Sequence, residues 1–138
     1  ALVDDLTARF ADTAVDAVAG IDALGFILGT ALAWHGKIGF VPVRKGGKLP
    51  VAVDQVDFVD YTGQGKTLEL RRGAIAPGTR ILLVDEWVET GAQVKAAIRL
   101  IEGQGGIVVG VATIGADRNA ATQALFEDYN LQALMTDG

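Results

Sequence analysis

The sequence predicts an α/β fold, a mainly parallel twisted sheet flanked by helices with a β-hairpin set into it. Three observations carry this. Short apolar runs of strand length occur at residues 17–21, 38–43, 80–84 and 107–114, and stretches with helical periodicity fall between them. Glycine and proline punctuate the joins. Alternating strands and helices pack as a parallel sheet covered on both faces. A chain of 138 residues fits one domain, here 1–138, because a domain of about 100–150 residues buries enough surface to be stable.

Leu2, Leu6, Phe10 and Ala14 recur every four residues with Asp4, Asp5, Arg9 and Asp12 on other faces, which predicts an opening amphipathic helix. Residues 17–21 read as a buried strand ending at Asp22, and 25–34 as a second helix. That helix is the most apolar stretch of the chain, but it has half of the roughly twenty residues needed to cross a bilayer, so it reads as buried. Residues 38–43 form a second strand. The loop after it, 44–50, carries Arg44, Lys45 and Lys48 among glycines and a proline. Residues 51–61 and 67–72 look extended, and the glycines between them predict a hairpin with a mobile tip. After the Pro77-Gly78 turn come the most apolar strand, 80–84, and a helix over 94–101 that glycines terminate. A strand at 107–114, a helix at 120–129 and a short strand at 131–135 complete the pattern.

Half of the residues are hydrophobic and about a fifth charged, the balance of a folded protein. A net charge of -5 provides no basic field, so no nucleic-acid partner is expected. No membrane partner is expected either, and the acidic start, with Asp4 and Asp5, does not read as a secretory signal. Cysteine is absent, which excludes disulfides, thiolate metal sites and a cysteine nucleophile, and makes the cytoplasm the default location. His35, the only histidine, reads as a polar helix-end residue. Trp34 and Trp87 read as core or interface anchors, and Asp54, Asp57 and Asp60 as mainly solvent-facing.

In open α/β sheets, ligands bind beyond the carboxyl ends of the strands, so the residues that follow Val84 are the informative ones. Asp85 and Glu86 could hold the two hydroxyls of a ribose, directly or through Mg²⁺, which favours carboxylate and water oxygens. Thr90 and Gly91 bring a hydroxyl and bare backbone to a helix N-terminus, where free N–H groups and the helix dipole attract phosphate. Read singly, the two acids are equally a solvated strand end and Thr90-Gly91 a helix cap.

The whole string from Ile81 to Gly91 resembles the phosphoribosyl pyrophosphate motif of the type I phosphoribosyltransferases. Residues 18–26, 41–50 and 67–70 with Pro77-Gly78 are similar to the adenine branch of that family, in its order and nearly its spacing. The resemblance implies the family's fold with a hairpin lid. It also implies transfer of the 5-phosphoribosyl group from phosphoribosyl pyrophosphate to a purine base, adenine-like or 6-oxopurine, in purine salvage. Mg²⁺ would be the cofactor and a homodimer the working form.

Carried over by position, Asp85 and Glu86 would bind the ribose and meet Mg²⁺ through the substrate or water. Glu89, Thr90, Gly91, Ala92 and Gln93 would hold the 5-phosphate. Ala23, Leu24, Arg44, Lys45 and Lys48 would hold pyrophosphate. Asp60 and Tyr61 would sit at the base of the lid, with Asp60 and Glu89 as candidate catalytic residues. Departures from the family pattern are Leu24 in place of an arginine, a longer lid segment, Gln93 in place of a threonine, an acid at 89, and a reduced or absent N-terminal hood. These keep open a second reading, a non-catalytic regulatory protein that binds phosphoribosyl pyrophosphate. A dinucleotide-binding domain is disfavoured, since neither G-x-G-x-x-G after the first strand nor a P-loop occurs.

Overall fold

The expected apolar runs all pair in one sheet. The computed structural model describes residues 1–46 and 50–138. Its elements in chain order are α1 (Leu2–Arg9), β1 (Ala17–Ile21), α2 (Leu24–Gly36), β2 (Gly39–Lys45), β3 (Val53–Val59), β4 (Gly65–Arg71), β5 (Arg80–Val88), α3 (Ala92–Gly103), β6 (Ile107–Asp117), α4 (Gln123–Asp128) and β7 (Leu131–Asp137). The strands form a seven-stranded sheet in the order β3-β4-β2-β1-β5-β6-β7. From β2 to β7 the pairing is parallel, and the β3–β4 hairpin joins β2 antiparallel.

The central strands are apolar throughout because both of their faces are covered. Along β5, Ile81 and Leu83 enter the core that α3 closes with Val94, Ile98 and Ile101. Leu82 and Val84 enter the opposite core, beneath Leu6, Phe10, Leu28 and Leu32 of the segment containing α1 and of α2. Such double-sided burial turns alternation into a continuous apolar run. At the start of β5, Arg80 clamps Asp16 through Nη2 to Oδ1 at 2.8 Å and Nε to Oδ2 at 3.0 Å, tying the entries of β1 and β5 together.

Several boundaries depart from the expectations. The opening helix stops at Arg9, because Phe10 turns down onto Gly110 of β6 and Asp12 and Thr13 are weak helix formers. β2 runs on through Arg44 and Lys45, which were expected in the loop, while Lys48 lies outside the described residues. β5 runs four residues beyond Val84, so the acidic pair belongs to the strand itself. The helix expected from 120 begins only at Gln123, because Asn119 and Thr122 bond each other reciprocally: the Thr122 N–H donates to Asn119 Oδ1 at 3.0 Å and the Asn119 N–H to Thr122 Oγ1 at 3.1 Å.

The hairpin tip turns around Asp60. Asp60 Oδ1 accepts from the N–H groups of Thr62 and Gln64 at 2.9 and 3.0 Å. α2 is apolar on every side, yet its outer face is bare: Ile27 is 69 % and Trp34 84 % exposed, so Trp34 is no core residue. Among the described residues no helix is long and apolar enough to cross a membrane.

Candidate functional site

β1 and β5 lie side by side and end on the same edge of the sheet, and the turns that follow them wall a cleft of about 450 Å³. The β1 side contributes Asp22, Ala23 and Leu24, β5 and its turn supply residues 85–94, and the hairpin adds Asp60, Tyr61 and Lys66. Lys45, from the end of β2, completes it. Close backbone packing makes the cleft possible. A Cβ on Gly25 would lie 2.7 Å from the carbonyl oxygen of Val84, so only glycine lets the start of α2 meet β5 here.

The two acids of β5 have different surroundings. Asp85 shares the face of Ile81 and Leu83 and is 6 % exposed, whereas Glu86 is exposed. Asp85 Oδ1 accepts from the Glu86 N–H at 2.8 Å, and Oδ2 accepts from Gln93 Nε2 at 2.9 Å. Burial lifts the Asp85 carboxyl to about 6 from an ordinary 3.8, against the pull of those two donors and of the positive charge of Lys45. The register partner of Asp85 on β6 is Thr113, fully buried, whose hydroxyl has no hydrogen-bond partner among the described residues.

Beyond the strand, Gly91 takes a left-handed φ of 81°, which lets the chain turn sharply into α3. Thr90 Oγ1 accepts from the Ala92 N–H at 3.3 Å, and Lys95 is the first residue to bond back into the helix, to Gly91 O at 2.8 Å. The turn and the start of α3 line the cleft, where a helix N-terminus suits an anion. Glu89 is partly buried, and its carboxyl is raised by burial first and then by the negative charges of Asp117 and Glu86. Its backbone oxygen accepts from Asn119 Nδ2 at 2.8 Å, which pins the turn to the end of β6. Trp87 lies over Gly115 and donates from Nε1 to Asp117 Oδ1 at 3.0 Å.

The fold thus gathers Ala23, Leu24, Lys45, Asp60, Tyr61, Asp85, Glu86 and the whole turn from Glu89 to Gln93 around one cleft. Arg44 is not among its lining residues: its guanidinium rests 5.6 Å from the ring centre of Phe26. Asp60 faces the cleft with its carboxyl held low, chiefly by the Thr62 hydroxyl, and with Lys66 Nζ 4.0 Å away. Two charged lining residues escaped the sequence reading, Asp22 and Lys66. Asp22 was legible, because the rule that draws attention to the end of β5 applies equally to the end of its neighbour β1.

An open, mainly parallel sheet with a cleft at the carboxyl ends of adjacent strands, an acidic pair and a helix N-terminus inside it, defines the class of α/β proteins with a ligand cleft at that edge of the sheet. Within that class, residues 2–135 match the phosphoribosyl transferase domain, and the chain belongs to that family. It is 48 % identical over 112 residues to the adenine phosphoribosyltransferase of Leuconostoc citreum, covering 80 % of this chain and 63 % of that one. Over 113 residues it is 44 % identical to the adenine phosphoribosyltransferase of Neisseria meningitidis serogroup C, covering 82 % and 60 %. The crystal structure of adenine phosphoribosyltransferase from Thermoanaerobacter pseudethanolicus superposes with a TM-score of 0.89 at 29 % identity, covering 97 % of this chain and 77 % of that one. The chain spans about three fifths of the length of the curated relatives it matches.

Proposed function

We propose that this chain is the catalytic domain, spanning 1–138, of a cytoplasmic purine phosphoribosyltransferase. It transfers the 5-phosphoribosyl group of phosphoribosyl pyrophosphate to an adenine-like or 6-oxopurine base, giving a nucleoside monophosphate and pyrophosphate for purine salvage. The observation that carries this reading is the convergence of Asp85, Glu86, the Thr90–Gln93 turn and Lys45 on one cleft.

Asp85 and Glu86 receive the ribose hydroxyls, and the Thr90 hydroxyl with the N–H groups of Gly91 and Gln93 receives the 5-phosphate. Ala23 and Leu24 offer backbone to the pyrophosphate, and Lys45, with Lys48 beyond the described residues, offsets its charge. The C1–O bond to pyrophosphate breaks as a purine ring nitrogen bonds to C1, and the proton of that nitrogen passes to Glu89. Partial burial raises the Glu89 carboxyl from its ordinary value, the direction that favours its holding a proton. Asp60 and Tyr61 close over the reacting centre from the hairpin.

Among the described residues no group of three or more His, Cys, Asp or Glu is placed to hold a metal alone. One or two carboxylates suffice for Mg²⁺ that arrives on substrate phosphates, so Asp85 and Glu86 fit that donor set, through the substrate or water. Mg²⁺ would neutralise charge on the departing pyrophosphate.

The working form is a homodimer. A helix that is apolar all round belongs in an interior, and the bare face of α2 supplies the surface to be buried. Arg44, outside the cleft of its own chain, would serve the cleft of the second copy. Equilibrium binding of phosphoribosyl pyrophosphate with Mg²⁺ tests the reading. Saturable binding that Asp85→Ala weakens at least ten-fold is expected, and equal binding by the variant would overturn it.

A further inference from the structure

Gln93 stands at the second position of α3, facing the cleft, where its backbone N–H is one of the free donors of the first turn. Its side chain turns elsewhere. Nε2 donates to Asp85 Oδ2 at 2.9 Å, while the Glu86 N–H holds Oδ1 at 2.8 Å. With Asp85 only 6 % exposed, this carboxylate is gripped at both oxygens in a setting nearly free of water, where a rotamer held by two charge-assisted bonds is stiff. Lys45 and Glu89 act on Asp85 as charges rather than as hydrogen-bond partners. Among the described residues Gln93 is therefore the one side chain bonded to it.

Resting on the phosphoribosyl reading, we propose that Gln93 is a positioning residue that works through Asp85. Its amide fixes the edge of the carboxylate offered to the ribose, while the N–H of the same residue serves the phosphate. One residue thereby links the turn that holds phosphate to the acid that holds sugar, and a shift in either is felt by the other.

Titration calorimetry with two probes, ribose 5-phosphate and inorganic phosphate, tests this on the wild-type chain, Gln93→Met, Asp85→Ala and the double variant. Methionine keeps the length of glutamine and loses the donor. Gln93→Met should weaken ribose 5-phosphate binding about ten-fold, the worth of one hydrogen bond to a charged group, and leave inorganic phosphate within about two-fold. In the Asp85→Ala background the same change should add less than about two-fold, because coupled residues lose their contribution once. Equal losses for both probes would mean that the amide serves phosphate directly, and a ten-fold loss that persists without Asp85 would mean that it acts independently. Either overturns the proposal, as does unchanged binding of both probes. Wild-type protein that binds neither probe overturns the phosphoribosyl reading itself and the proposal with it.

Discussion

Gly25 and Val84 touch backbone to backbone: a Cβ on Gly25 would lie 2.7 Å from the Val84 carbonyl oxygen, one residue before Asp85. The contact sets the start of α2 against the strand that carries the acids. Alanine is ordinarily better than glycine inside a helix by about 1 kcal/mol. Here the added methyl must push backbone apart, so Gly25→Ala should destabilise the fold by about 1–3 kcal/mol in urea unfolding. A variant as stable as the wild type would mean that the two elements do not meet so closely.

Asp85 should cost the protein stability. Its carboxyl is raised from 3.8 to about 6, so between those values the folded state holds a proton that the unfolded state has released. Stability from this group is therefore present at low pH and lost as pH rises through about 6, by about 3 kcal/mol in all. Asp85→Asn should stabilise the fold by up to that amount at pH 8, with the gain shrinking toward zero near pH 4, while weakening phosphoribosyl pyrophosphate binding. Urea midpoints across that range check it, and destabilisation at pH 8 would contradict it.

Much of this architecture is legible in the sequence, and the parts that are not have local causes. Residues 17–21 were recognisable because β1 is apolar along its length and Asp16 and Asp22 bound it. β5 was cut short at Val84 because two acids look like a strand end. Its continuation depends on β6, where Gly115 leaves room for the Trp87 ring and Ala116 pairs with Val88. No local pattern near residue 85 contains that information. The cleft followed from the motif, but the inequality of Asp85 and Glu86 did not, since burial of one and exposure of the other depends on which sheet face α3 covers. For Trp34 the sequence left core and interface open, because an apolar helix reads as buried whether its cover is the same chain or another, and its exposure removes the core.

The proposed dimer gives a prediction of its own. In sedimentation at micromolar concentration the wild-type chain should run as a dimer and Trp34→Lys as a folded monomer, since a lysine at a position 84 % exposed harms only an interface. A wild-type monomer would contradict the pairing.

Glu89 is the residue asked to move a proton. Its replacement by alanine should lower turnover by ~10²–10⁴-fold with little change in the affinity for phosphoribosyl pyrophosphate. A turnover number that survives the substitution would remove the role.

The central claim is transfer, and pyrophosphate release measures it most directly. Phosphoribosyl pyrophosphate and Mg²⁺ are incubated with the protein and with adenine, hypoxanthine, guanine, xanthine, uracil or orotate in turn, each product being identified by chromatography. Release that depends on a purine, with the matching nucleoside monophosphate formed in equal amount, is the predicted result. Saturable binding of phosphoribosyl pyrophosphate with no release for any base would contradict transfer and leave a protein that only senses its ligand.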